Sequence, residues 1–182
     1  MSYFIFQTMK RTVFHGACFK ALYLLVLCLF PLSLPAEESG LSVEFQTKGA
    51  FFYKDFKPYT LVANVGYDIT SRLFVHVEGA YAIDLFKQKG VKDYYADPIA
   101  GVNVGYTFLK TADLKLDARI GIGDNFKAKR DWRYNYYDAG VYAHLGSGRV
   151  KPIFGAGVRH YNAHSALFKD YTRFYVAIGF GL

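Results

Sequence analysis

A period of two residues dominates the sequence from Leu41 to the C terminus. Apolar side chains alternate there with polar side chains or glycine, as in residues 174–182, where every second residue is Phe, Val, Ile or Leu. Successive side chains of a β-strand point to opposite faces, so this period predicts strands rather than helices. Turn-forming residues separate eight such stretches. The predicted strands are residues 41–52, 59–69, 73–85, 99–108, 114–123, 136–145, 150–160 and 172–182.

The connections between these stretches alternate in length. Long, charged connections at 53–58, 86–98, 124–135 and 161–171 alternate with short ones near 70–72, 110–113 and 147–149. Bacterial outer-membrane barrels have an even number of antiparallel strands, long external loops and short periplasmic turns. The pattern therefore predicts an all-β fold, an eight-stranded antiparallel up-and-down transmembrane β-barrel.

The two faces of the predicted strands differ in side-chain size. The apolar face carries bulky residues, including many of the 16 Tyr and 17 Phe, whereas the polar face is rich in Gly. The lumen of an eight-stranded barrel is just wide enough for side chains to fill, so the bulkier face should point outward. A bilayer outside would also require a closed sheet without open edges. A secreted soluble barrel that binds a small apolar ligand inside is the alternative.

The first 36 residues have the composition of a secretory signal peptide. A basic start precedes an apolar stretch over 21–30, and small residues ending at Ala36 precede two acidic residues. This order predicts cleavage near Ala36 and export, with residues 37–182 as the barrel domain. Met9 is the better start of such a peptide. The apolar stretch is shorter than the approximately 20 residues of a membrane-spanning helix, which disfavours an uncleaved anchor.

Charge and cysteine content exclude several functions. The formal net charge is +7, but three of the 22 basic residues lie in the leader, which leaves 19 against 15 acidic residues. These are scattered without a basic helix or recognition motif, so we expect no nucleic-acid partner. Cys18 and Cys28 both lie in the leader. The exported chain therefore has neither a disulfide nor a cysteine nucleophile or metal ligand.

Charged residues on the polar face are candidates for a network inside the lumen. Simple hairpin registers place Arg119, Asp138 and Arg159 opposite one another. A structural plug is favoured over an ion path, because a narrow lumen is filled by its own side chains and buried charges must be paired. The predicted lumen network comprises Lys48, Asn64, Glu78, Arg119, Asp138, Arg159 and Arg173.

The connection between predicted strands five and six is the candidate surface contact. Trp132 stands there between Arg130 and Arg133, in a loop whose bases suit lipopolysaccharide phosphates. Tyr and Trp also concentrate at the membrane–water interface, and a rim position for Trp132 is the favoured alternative.

The exported chain resembles the small OmpA/OmpX-type outer-membrane barrels. The resemblance is one of pattern over the whole barrel domain, and residues 66–70 before a tight turn and 174–180 at the end carry it best. It implies an eight-stranded barrel in contact with outer-membrane lipid and lipopolysaccharide. It also implies recognition of the last strand by the insertion machinery, through a terminal aromatic residue. This chain departs there, since it ends on Leu182 with Phe180 two residues earlier.

Residues 157–163 are similar to a stretch of the outer-membrane lipid A deacylases. That resemblance implies a catalytic role for His160 and Asp170 on the outer rim, but the nucleophile position holds Asn162, which cannot form an acyl-enzyme. His76 and His144 lack partners at ligand spacing, so we expect no metal, and no cofactor motif is present. The sequence favours a non-enzymatic barrel with a structural, surface-interaction or envelope-maintenance role. A deacylase-like hydrolase is the alternative.

Overall fold

The computed structural model describes residues 40–88, 91–126, 132–164 and 168–182. The predicted signal peptide and its cleavage site near Ala36 lie outside the described residues. The strands are β1 (Leu41–Gly49), β2 (Phe56–Asp68), β3 (Leu73–Gln88), β4 (Val91–Lys110), β5 (Leu114–Asp124), β6 (Tyr134–Leu145), β7 (Lys151–Ala163) and β8 (Tyr171–Gly181). No helix in the described ranges has the length and hydropathy of a membrane-spanning helix.

The eight strands close into one barrel. Each strand pairs antiparallel with its neighbour in the chain, and β8 pairs antiparallel with β1. The closing pair is short and runs from Glu44 opposite Gly181 to Gly49 opposite Val176. The prediction of an all-β, eight-stranded, antiparallel up-and-down barrel is confirmed.

The predicted loop over residues 86–98 is wrong. The strands β3 and β4 continue as an antiparallel hairpin until Gln88 lies opposite Val91. Charged residues and Pro98 made this stretch look like a loop, but a hairpin that continues past its neighbouring strands carries charge easily. The strand β5 pairs with β4 only from Ala100 onward. Pro98 therefore lies beyond the part of β4 that pairs with β5, and a missing N–H is tolerated there.

The two ends of the β1–β2 connection also differ from the prediction. The strand β1 ends at Gly49 instead of continuing to Phe52, and Ala50 N donates a hydrogen bond to Pro58 O. The strand β2 begins at Phe56, three residues early. The exposed rings of Phe51 and Phe52 continue the apolar composition of β1 into a turn, which is why sequence alone placed them in the strand.

The faces of the barrel are inverted relative to a water-soluble protein. The inward face buries polar and charged side chains, among them Glu44, Gln46, Lys48, Thr60, Asn64, His76, Glu78, Asn103, Thr107, Asp117, Arg119, Asp138, His144 and Arg159. The outward face exposes apolar ones, among them Leu41, Phe45, Leu61, Val65, Val77, Val104, Ile120, Ile122, Val141, Phe154, Phe174 and Ile178. The expected outward direction of the apolar face is confirmed.

Inward-facing glycines make room for rings that lie across the lumen. The Phe74 ring lies against Gly105, and the Tyr142 ring lies against Gly155 on the next strand, so closely that a Cβ at either glycine would overlap the ring. The outward-facing Gly79 differs, because a Cβ there would meet only Ala63 O, at 4.0 Å.

We expect Gly155→Ala to destabilise the barrel by about 1–3 kcal/mol, because the added methyl displaces the Tyr142 ring in a filled lumen. Gly79→Ala is the matched control and should change the free energy of unfolding by less than about 0.5 kcal/mol. Urea unfolding in detergent micelles measures both. Equal effects at the two positions would contradict the close packing assigned to the Tyr142 ring.

Candidate functional site in the lumen

Two cations and two anions form a cluster halfway along the lumen, which we call the middle cluster: Lys48, Glu78, Asp138 and Arg159. Asp138 lies opposite Arg159 in the β6–β7 register, and Arg159 Nε donates to Asp138 Oδ2 at 2.7 Å. Lys48 Nζ lies 3.2 Å from Glu78 Oε2 and 3.7 Å from Asp138 Oδ2. Arg159 Nη2 closes the ring at 3.3 Å from Glu78 Oε1. The four formal charges sum to zero, as burial requires.

Tyrosine hydroxyls complete the hydrogen bonding of the middle cluster. Tyr175 OH donates to Asp138 Oδ1 at 2.7 Å and lies 2.8 Å from Tyr142 OH. Tyr136 OH donates to Glu78 Oε1 at 2.8 Å, and its ring centroid lies 3.9 Å from the Arg159 guanidinium carbon. Both carboxylates therefore accept from a cation and a phenol. These rings also fill the space between the charges.

A second group, the lower cluster, lies nearer the barrel end that holds the strand termini Leu41 and Gly181. Arg119 is its centre and is held by two carboxylates. Its nitrogens lie 2.6 and 3.0 Å from the oxygens of Glu44 and 2.7 and 3.2 Å from those of Asp117. His144 Nε2 lies 2.8 Å from Asp117 Oδ2. His76 Nδ1 lies 3.8 Å from Glu44 Oε2.

The predicted lumen network did not include four members of the lower cluster: Glu44, His76, Asp117 and His144. All four alternate correctly for the inward face, so their direction was readable. Their proximity could not be predicted from the sequence, because Glu44 and Arg119 lie on strands that face each other only across the closed lumen. Among the described residues, no group of His, Cys, Asp and Glu side chains is arranged to hold a metal ion.

The predicted level of Arg119 is wrong. The β5–β6 register places Gly121, not Arg119, opposite Asp138. Asp138 therefore lies between Arg159 and Lys48, and Arg119 belongs to the lower cluster. The long β5–β6 connection does not fix the register as a two-residue turn would, so a two-residue offset was invisible in the sequence.

The two remaining residues of the predicted network take no part in the ion pairs of the two clusters. Asn64 is buried beside Glu44 and Glu78 in the register, and its Oδ1 has no hydrogen-bond partner among the described residues. Arg173 lies toward the loop end of the barrel, where Nη2 is 2.9 Å from Asp55 Oδ1 and Nε donates to Phe56 O.

Trp132 is not a surface residue, and the predicted surface contact is wrong at this position. Its side chain is 0% exposed, inside the loop end of the barrel. It packs with an aromatic group that we call the lid, which comprises Phe56, Phe86, Trp132, Tyr134, Tyr161 and Tyr171. Trp132 Nε1 donates to Asp84 Oδ2 at 2.8 Å. The rim position is therefore wrong as well. Arg133 is exposed, and Arg130 lies outside the described residues.

The inward turn at Trp132 has a local cause in Asn125. The Asn125 side chain donates to Trp132 O at 2.9 Å and accepts from Tyr134 N at 2.9 Å. One buried amide thus holds the backbone on both sides of Arg133, which places Trp132 and Tyr134 on the inward face. Asp84 then offers an acceptor that a buried indole N–H requires.

His160 and Asp170 do not form a catalytic pair in the structure. His160 Nδ1 lies 2.8 Å from Thr172 Oγ1, opposite it on β8. Asp170 Oδ1 accepts the backbone N–H of Ala163 at 2.8 Å. The carboxylate is thus used in joining β7 to the β7–β8 connection, and neither contact supplies the orienting acid of a hydrolase triad.

Comparisons with known proteins found similar solved structures but neither a family model nor a curated relative. Among solved structures, the chain is similar to the N-terminal β-barrel domain of Pseudomonas aeruginosa OprF, with a TM-score of 0.42 and 14% sequence identity. The match covers 80% of this chain and 100% of that domain.

Replacing Asp138 with Ala should cost about 3–5 kcal/mol of unfolding free energy, because Lys48 and Arg159 lose a shared buried partner. The exposed Asp93 on the β3–β4 hairpin is the control, and Asp93→Ala should cost less than about 0.5 kcal/mol. Urea unfolding in detergent micelles compares the two variants. If Asp138→Ala is as mild as the control, the charges of the middle cluster are not buried as a unit.

Trp132 is the only tryptophan in the sequence, so its fluorescence reports on the lid. We expect blue-shifted emission that neither acrylamide nor a brominated detergent quenches, because the indole is sealed inside the barrel. The control is a Trp132→Phe, Tyr81→Trp double variant, since Tyr81 is exposed on the outward face. Its new tryptophan should be quenched by the brominated detergent. Strong quenching of the wild-type fluorescence by the brominated detergent would show that Trp132 lies on the outer rim.

Proposed function

We propose that this chain is a non-enzymatic integral β-barrel of the Gram-negative outer membrane, with a structural, surface-interaction or envelope-maintenance role. One observation carries the proposal: charged side chains are buried and apolar side chains are exposed around the whole barrel. Exposed apolar patches on soluble monomers rarely exceed a few hundred Å². A hydrocarbon solvent removes the cost of such a surface.

The distribution of outward tyrosines supports the same setting. Tyr94 and Tyr137 are exposed near the loop ends of β4 and β6, whereas Tyr67 and Tyr106 are exposed near the turn ends of β2 and β4. Outer-membrane barrels carry aromatic girdles at both edges of an apolar band, where the ring meets hydrocarbon and the hydroxyl meets water.

The packing of the lumen supports a structural role over transport. The middle cluster, the lower cluster and the lid occupy successive levels of the lumen, and the void beside Lys48 and Arg173 measures about 10 Å³. Wide aqueous channels belong to barrels of about sixteen strands. A filled lumen leaves the outer surface and the loops as the parts that meet partners.

Three further elements of the proposal come from the sequence pattern. The basic and apolar start of the chain supports export by a signal peptide cleaved near Ala36. The aromatic residues of the last strand suit recognition by the outer-membrane insertion machinery. The loop bases suit lipopolysaccharide and outer-membrane lipid as partners, and nothing in their spacing suits a nucleic acid.

A charge on the outward face tests the proposal. Ile120 is 66% exposed in the middle of β5, so Ile120→Arg should cost about 2–4 kcal/mol if the residue faces hydrocarbon. Phe52→Arg is the control, because Phe52 lies in the β1–β2 turn and its exposure exceeds that of Ile120. It should be nearly neutral. Unfolding in lipid vesicles measures both variants.

Cell fractionation tests the compartment directly. We expect the protein in the outer-membrane fraction after an alkaline wash, with an electrophoretic mobility that changes on heating. Recovery from the soluble periplasm or the medium, together with a harmless Ile120→Arg change, would establish the soluble barrel in its place.

A further inference from the structure

A groove of about 550 Å³ crosses the outward face of β1, β2, β3 and β8. Small residues Thr47, Ala63 and Gly79 line part of it, and Phe45 and Phe180, whose ring centroids are 5.6 Å apart, lie at its end toward the turns. Leu61 and Tyr81, opposite each other in the register, lie at the other end, toward the loops. The groove is therefore an apolar depression bounded by large side chains.

Barrel packing does not require this depression. A Cβ at Gly79 would have open space around it, with Ala63 O at 4.0 Å as its nearest neighbour. The inward glycines are different, since rings such as that of Tyr142 take the space that their side chains would need. Filling the groove from Gly79 would thus leave the lumen untouched.

Three lysines lie at the loop end of the same part of the barrel. Lys57 lies beyond Leu61 and Tyr59 on the outward face of β2, toward the loops. Lys87 lies on the outward face of β3, two residues beyond Leu85, which is the register partner of Lys57. Lys54 lies in the β1–β2 connection. The next residue, Asp55, accepts a hydrogen bond from Lys87 N through its backbone oxygen. Within the described ranges, no carboxylate lies within ion-pair distance of these three ammonium groups, and the nearby Asp55 is paired with Arg173. From Leu61 to Lys57 the strand covers about 13 Å.

From this arrangement we infer a binding site for a phosphorylated glycolipid of the outer leaflet, of the lipid A type. An acyl chain lies in the groove, and its phosphates meet Lys54, Lys57 and Lys87. Hydrocarbon surrounds the groove whether or not it is occupied, so the acyl chain gains close packing there rather than removal from water. Helices that associate within membranes gain stability in the same way. Selectivity comes from the lysines. A disaccharide with two phosphates suits cations that are spread over two strands and a loop. This inference rests on the proposed function.

Native mass spectrometry of the detergent-solubilised protein with bisphosphorylated lipid A tests the lysines. We expect Lys57→Gln with Lys87→Gln to weaken binding by about 25-fold, about fivefold per lysine near an anionic lipid surface. Dephosphorylated lipid A should bind the variant and the wild type equally. The control pair, Lys110→Gln with Lys151→Gln, lies at the opposite end of the barrel and should bind as the wild type does.

Gly79→Phe tests the groove. The ring should fill the depression and weaken lipid A binding by about tenfold through lost contacts, while the heat-dependent mobility stays unchanged. Ala139→Phe adds the same ring to the exposed outward face of β6 and should not change binding. The inference would be overturned if Gly79→Phe and Ala139→Phe bound lipid A equally. It would also be overturned if phosphatidylglycerol competed for the site as well as lipid A does. If the barrel inserts into membranes in that case, the proposed function still stands. If the wild type is soluble, both fail.

Discussion

The charged side chains of the lumen must be neutralised where they lie, because the barrel wall separates them from bulk solvent and a lone buried charge costs several kcal/mol. This constraint explains why the charges occur as two closed groups. In the middle cluster, Asp138 and Glu78 each contact Lys48 and Arg159. In the lower cluster, Glu44 and Asp117 hold Arg119 from two sides. Glu44 on β1 reaches Arg119 on β5, and Glu78 on β3 reaches Arg159 on β7. These ion pairs connect opposite walls across the lumen and help to specify the register of the barrel.

The ion pairs also determine how much space in the lumen the neighbouring side chains must fill. An ion pair holds the walls at a fixed distance, so the space between the pairs must be filled by side chains of the right size. The rings of Phe74, Tyr136 and Tyr142 fill it, and Gly105, Gly123 and Gly155 provide the flat wall against which they lie. Large rings and missing side chains are thus two aspects of one packing solution. It also explains why glycine collects on the polar face of the strands, where it would otherwise only weaken them.

The sequence predicted most of the strands and the direction of each face, because both depend on the period of two residues. It placed Lys48, Glu78, Asp138 and Arg159 inward for the same reason. It predicted the closed barrel from the alternating lengths of the connections. It could not predict partners across the lumen, since Glu44 and Arg119 are brought together by the curvature of the whole sheet. It also misplaced Trp132. A short run of Arg, Trp and Tyr looks like an exposed loop, and only the Asn125 amide and the Asp84 acceptor turn the indole inward.

Where the barrel closes, side chains replace the backbone hydrogen-bond partners that β1 does not supply to β8. The strand β1 ends at Gly49, opposite Val176, although β8 continues toward the loops as far as Tyr171. Side chains near the β1–β2 connection take over from there. Tyr53 OH accepts the backbone N–H of Phe174 at 3.0 Å. The Arg173 guanidinium lies 4.3 Å from the Tyr53 ring centroid and bonds Asp55 and Phe56 O. A strand edge that a bilayer would leave without water is thus covered by a phenol and a guanidinium. Arg173 therefore contributes to closing the sheet, whereas the arginines of the two clusters hold the lumen together.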